Sequence, residues 1–265
     1  MLGDIINSRR IAGLGWKKDI PDQRDHKFKD NVPIESSNPP GIDLREDVRM
    51  PKIWDQGQLG SCTAHAVAAA CSYAQADDGE FAPSEDYQPS RLFIYYNERL
   101  IEGTTKFDAG AEIRDGMNVC ASYGICPEKT WPYDIKKFAK KPKKFAYEVA
   151  LNQINRQYMR IEQDLDHMRT CLAAKWPFTF GMTLYDSFNS DEVVKTGVVS
   201  VPLATEKIDG GHAMLIVGYD DSKELFIFRN SWNATFGEQG YGYVPYSMIL
   251  SSLANDFWCI RKIEK

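Results

Sequence analysis

Asp55-Gln56-Gly57-Gln58-Leu59-Gly60-Ser61-Cys62-Thr63-Ala64 decides how the rest of the chain is read. From Ser61 to Ala74 the sequence holds no Gly or Pro and is dense in alanine, so a helix starts here with Ser61 as a plausible cap. Small residues on several faces of that helix predict that it is buried and closely approached by its neighbours. A cysteine at a helix N-terminus meets unpaired amides and the positive end of the dipole, which favour the thiolate and lower its pKa. The same amides can hold an oxyanion, and Gln56, six residues upstream on the approaching loop, can add a side-chain amide.

Working outward, Pro89–Asn97 and residues 111–123 read as further helices, the latter stopped by Gly124. Between 145 and 175, Val149, Ile154, Tyr158, Ile161, Leu165, Met168 and Leu172 fall at helical spacings, predicting one bent helix or two short ones. After Trp176-Pro177 the runs 178–184, 212–219, 225–229 and 241–244 read as short strands separated by turn residues. Helices first and strands after define an α+β fold with segregated lobes and a cleft between them.

Two of the strand segments carry chemistry. Asp209-Gly210-Gly211-His212 puts an imidazole at the start of an apolar strand, and Phe228-Arg229-Asn230-Ser231-Trp232 puts an amide at the end of the next. A hairpin between them lets the Asn230 oxygen accept from one ring nitrogen of His212 while the other faces the Cys62 sulfur. A thiol–imidazole pair oriented by a neutral amide suits a cysteine hydrolase.

These residues resemble the papain/cathepsin family of cysteine peptidases. Cys62 and His212 stand 150 positions apart, within the roughly 130–150 of that family's signature. Asp43-Leu44-Arg45, Tyr123-Gly124-Ile125, Trp131-Pro132-Tyr133 and Gly237–Tyr241 extend the likeness over about residues 41–250. The resemblance implies a papain-like two-lobed fold, with a helical lobe over roughly 41–150 and a β-rich lobe over roughly 151–265. It implies Cys62 as nucleophile, His212 as general acid/base, Asn230 as its orienting residue and Gln56 in the oxyanion hole. Trp232 would cover the His–Asn hydrogen bond, and Gly110 would lie where substrate backbone pairs. The implied partners are peptide or protein substrates, with no cofactor and no metal. Leu59 stands where the family has a disulfide cysteine, Thr63 where it has Trp, His65 where an aromatic is common and Phe236 where Trp is frequent.

Residues 1–40, rich in Gly, Pro and charge, form an N-terminal arm. Two readings stay open for it: a short propeptide-like segment lying along the cleft, or a tail without inhibitory role. A net charge of −5 with both signs scattered argues against a nucleic-acid partner. The lysines at 136, 137, 140, 141, 143 and 144 read as a solvated loop, with a docking patch for an acidic partner as the second reading. Without an apolar leader or membrane-length run, six dispersed cysteines read mostly as free thiols and the expected address is cytoplasmic, although a Cys120–Cys126 disulfide stays open. His65, three residues from Cys62, reads as a core histidine rather than a metal ligand. Two other functions stay open: a catalytically weak papain-like fold used for binding, and an acyl transferase working through the same triad.

Overall fold

The structure, a computed structural model, describes residues 13–77 and 88–264; residues 1–12 of the expected arm lie outside them. In chain order the main elements are β1 (Trp16–Lys17), β2 (Gly41–Asp43), α1 (Cys62–Asp77), α2 (Arg91–Ile101), β3 (Ala111–Glu112), α3 (Ile113–Ser122) and α4 (Lys144–Ala150). There follow β4 (Ile154–Arg160), α5 (Leu165–Ala173), β5 (Phe178–Tyr185), α6 (Asp191–Thr196), β6 (Ile208–Asp220), β7 (Leu225–Arg229), β8 (Tyr241–Pro245), α7 (Tyr246–Ile249) and β9 (Ala254–Glu264). Helices dominate the first part. The second is an antiparallel sheet in the order β4-β9-β5-β6-β7-β8, with β2 paired to β6.

Helix α1 is buried on every side from Cys62 to Ala74, as its small side chains require. It packs on β6 and β9 of the sheet and on α2 and α3 of the helical part, joining the two halves. That contact brings the helix tip to the strand that carries His212. The sheet supplies Phe178, Phe180, Ile216, Phe226, Phe228 and Trp258 to the core, each inaccessible to water.

Several elements differ from the sequence reading. The expected helix over 145–175 is two short helices with a strand between them. In β4, Tyr158, Met159 and Arg160 pair with Ile260, Cys259 and Trp258 of β9, and Asp164 then caps α5 by accepting from the amides of Asp166 and His167. Helical spacing of the apolar residues was outweighed by a long-range partner, β9, whose pairing no local pattern announces. Within 111–123, Ala111 and Glu112 are a strand because they pair with the arm, and the helix begins at Ile113. Ser61 occupies the cap position of α1, its carbonyl accepting from His65 N at 3.1 Å. Its hydroxyl, however, is bonded to Tyr133 Oη at 2.6 Å rather than to a helix amide. The lysine-rich segment is exposed, with Lys137 paired to Asp134 and Lys144 to Glu148. All six cysteines are buried free thiols, and Cys120 lies 3.7 Å from Cys71 rather than bridging Cys126.

Candidate active site

Cys62 is the first residue of α1, and the loop before it is braced from both halves of the molecule. Asp108 accepts from Gly60 N at 3.1 Å and from the hydroxyl of Tyr95. The same Tyr95 oxygen accepts from Gly110 N at 3.1 Å. Arg99, wholly buried, spends its guanidinium on the carbonyls of Tyr95, Thr105, Phe107 and Phe138, which fixes the loop carrying Asp108. Gln56 is held by main chain and side chain alike: its N–H donates to Ser231 O at 2.9 Å and its carbonyl accepts from Tyr133 Oη at 2.9 Å. Ser231 Oγ donates to Gln56 Oε1 at 2.5 Å, so the amide must turn its Nε2 donors the other way.

On the facing sheet, His212 Nε2 lies 2.9 Å from Asn230 Oδ1. The β6–β7 hairpin produces this approach across eighteen residues by antiparallel pairing. Trp232 stacks obliquely on the imidazole at 4.9 Å between ring centroids, and Phe188 and Phe236 pack edge-on against Trp232. His212, Asn230 and Trp232 are all buried, so water has little access to the His–Asn bond. The Ala213 amide points at the Cys62 sulfur, which brings the His212 end of β6 against the helix tip. Among the described residues no three His, Cys, Asp or Glu side chains gather as a metal site. His65 is a core residue whose Nδ1 lies 3.0 Å from Ser61 O.

Residues 13–17 run through the same cleft. Gly13 O accepts from Gln56 Nε2 at 2.6 Å, Gly15 O accepts from Ala111 N at 2.7 Å, and β1 pairs with β3 in parallel. The Gly15 amide points at the Cys62 sulfur. The fit is close: a Cβ on Gly15 would stand 1.9 Å from Gly60 O, and one on Gly181 would stand 1.9 Å from the Trp16 ring that fills its place. Beyond the cleft the arm is anchored by charge and by burial. Trp16 Nε1 and Asp19 N donate to Asp256 Oδ2 at 3.0 and 2.8 Å, and Asp19 accepts from Trp258 Nε1 at 2.8 Å. Arg160 reaches Asp256 at 3.0 Å, Lys17 pairs with Glu102 at 2.5 Å, and Phe28 is wholly inside the core.

The arm changes the electrostatics expected of Cys62. With Gly15 over it the thiol is sealed from water, and burial pushes its pKa up to about 11 against the pull of the Ala213, Gly15 and Thr63 amides. Helix-tip acidification is thus outweighed in this conformation. Burial likewise pushes the Asp19 carboxyl up to about 7, with the neighbouring Asp256 charge adding to it.

Cys62, His212, Asn230, Gln56 and Trp232 therefore converge, and Gly110 stands at the head of the strand that the arm pairs with. Sequence reasoning missed Gly13, Gly15 and Trp16, although two glycines flanking one residue before a Trp mark a place for close backbone approach. It also missed Ser231, which bonds Gln56 and Asn230 directly, Asp108, which reaches the site through Gly60, and Phe188, which arrives from the short 3-10 helix after β5.

Fold and site together define a cysteine peptidase with a helical part, an antiparallel sheet and a thiol at their junction. The chain belongs to the papain family of cysteine proteases: the family described as "Papain family cysteine protease" matches residues 38–252, more than half of the chain. An uncharacterized peptidase C1-like protein, L477, of Acanthamoeba polyphaga mimivirus is 38% identical over 273 residues, spanning 94% of this chain and 87% of its own. The crystal structure of xylellain, a cysteine protease from Xylella fastidiosa, superposes with a TM-score of 0.86 at 39% identity, covering 96% of this chain and 97% of that one. Cathepsin S of Mus musculus is 24% identical across 91% of this chain and 68% of its own length.

Proposed function

We propose that the protein hydrolyses peptide bonds through a thioester at Cys62, and that residues 13–17 restrain it by lying in the cleft. The observation that carries this reading is the Gly13 carbonyl, 2.6 Å from Gln56 Nε2. A scissile carbonyl would need the same donor. In an open cleft His212 takes the Cys62 proton and the sulfur attacks the substrate carbonyl, whose oxygen gathers charge against Gln56 Nε2 and the Cys62 amide. Asn230 keeps His212 Nε2 engaged, so Nδ1 serves the sulfur. The tetrahedral adduct expels the amine as His212 returns the proton, leaving an S–acyl bond. Water, deprotonated by His212, then attacks the thioester and releases the acid and the free thiol.

The tight seat of Gly15, the pairing of β1 with β3 and the water-sealed thiol support restraint by the arm over a tail without role. The experiment is peptide cleavage by the full chain after displacement of the arm with the Gly15→Ala substitution, together with labelling of Cys62 by a thiol-directed epoxide. Cleavage and labelling should both vanish with Cys62→Ala. Full activity in Cys62→Ala refutes the nucleophile, whereas equal activity with and without Gly15→Ala refutes the restraint.

A further inference from the structure

Beside Asn230 lies a cavity of about 10 Å³, whose walls include Trp54, His65, Ala213, Met214, Asn230 and Ser231. Space of that size suits one water molecule. Three buried nitrogens of its lining residues have no hydrogen-bond partner among the described residues: Trp54 Nε1, His65 Nε2 and Asn230 Nδ2. Buried polar atoms are seldom left so, and three around one small space point to a shared ligand.

The hydrogen-bonding roles of the three are fixed by their other contacts. His65 Nδ1 faces the Ser61 carbonyl at 3.0 Å, and since a carbonyl only accepts, Nδ1 carries the hydrogen. Burial, with Arg91 adding, holds this imidazole well below the usual histidine range, so the ring is neutral and Nε2 presents a lone pair. Asn230 Oδ1 sits 2.9 Å from His212 Nε2 and accepts from Ser231 N at 2.8 Å, which leaves Nδ2 as a two-hydrogen donor on the opposite side. Trp54 Nε1 can only donate. The set is therefore two donors and one acceptor, which is what a water accepting twice and donating once requires.

We infer that this cavity binds one water, which accepts from Asn230 Nδ2 and Trp54 Nε1 and donates to His65 Nε2, making His65 a positioning residue for Asn230. Phe at position 65 could pack there but could not accept the water's hydrogen. The role of the water in catalysis rests on the reading of Asn230 as the residue that orients His212; its presence does not.

The test uses the full chain and needs no turnover. Nitrogen-15 spectra of labelled histidine should show His65 neutral and protonated at Nδ1, and rotating-frame Overhauser spectra should connect a long-lived water to the Asn230 side-chain amide and the Trp54 indole proton. His65→Phe should abolish the water signal at Asn230, whereas His65→Gln, whose Oε1 can accept, should keep it. Solvent exchange of the His212 Nε2 proton should quicken roughly fivefold to tenfold in His65→Phe, the worth of about one hydrogen bond, and stay near the parent rate in His65→Gln. Absence of the water from the parent protein overturns the site. An unchanged His212 exchange rate in His65→Phe overturns the positioning role. Retained peptidase activity in Cys62→Ala would sink the catalytic assignment while leaving these signals in place, so the two failures are distinct.

Discussion

Gly15→Ala displaces the arm without altering any residue of the catalytic machinery, so it isolates what the arm does. The added Cβ would stand 1.9 Å from Gly60 O, where an ordinary contact is 3.4 Å or more. Gly60 is braced by Asp108, so the arm must retreat, by roughly 1.5 Å from the difference of those distances. A retreat of that size breaks the Gly13–Gln56 and Gly15–Ala111 hydrogen bonds, at 2.6 and 2.7 Å, and loosens Trp16 from its slot. At about 1 kcal/mol net for each hydrogen bond, with a similar share from Trp16, the closed state loses about 2–3 kcal/mol. That raises the open population roughly 30- to 150-fold. Initial rates on a fluorogenic peptide, normalised by active-site titration, should rise by a factor in that range while the thermal midpoint of the catalytic domain stays close to the parent's. A Gly15→Ala protein that folds normally yet cleaves the peptide and reacts with alkylating reagents at parental rates would refute the reasoning.

The remaining expectations concern acidity and orientation. Cys62 in the closed chain should alkylate with iodoacetamide along a profile that climbs toward pH 11, since burial holds the thiol at about that value; Gly15→Ala should move the profile to lower pH. Because the closed state binds that proton more tightly than an open one, the thiol's contribution to closure is full below the ordinary thiol value of 9.0 and is lost as the pH rises through 11. Asp19 acts in the same direction at lower pH: its contribution to docking is full below about 3.8 and fades as the pH rises through about 7, so limited proteolysis of the arm should be slower at pH 5 than at pH 8. Asp19→Asn should flatten that difference. Ser231→Ala removes the hydroxyl that orients Gln56 and should lower kcat roughly tenfold with little change in KM, as expected for a group acting on the oxyanion donor; a change confined to KM would contradict the role.

The site was far more legible in the sequence than its surroundings. Cys62, Gln56, His212 and Asn230 sit in short segments whose local structure, a helix tip and two strand ends, follows from neighbouring residues. The β6–β7 hairpin needs only antiparallel return to bring the last two together. The strands at Ile154–Arg160 and Ala254–Glu264 were not legible, because the first exists through pairing with the second across about a hundred residues and the second through pairing with the first and with β5. The acidity of Cys62 was misjudged for a related reason. Helix-tip stabilisation is local and visible in sequence, whereas desolvation comes from Gly15, a residue remote in sequence whose position depends on Trp16, Asp19 and Phe28 finding their partners. The place of His65 near Asn230 is likewise a product of α1 lying on β6.

The burial of Phe28 separates the arm into two parts with different fates. Residues 13–17 lie in the cleft, while the stretch around Phe28 completes the hydrophobic interior, so removal of everything before Gly41 would strip out core as well as the proposed plug. On the proposed restraint, the plug is also leashed to the body it would block: dilution leaves its local concentration, of millimolar order for a short tether, unchanged. An incoming peptide would then compete with a fixed rival, and clipping the chain between Lys18 and Phe28 would turn that rival into one that can diffuse away.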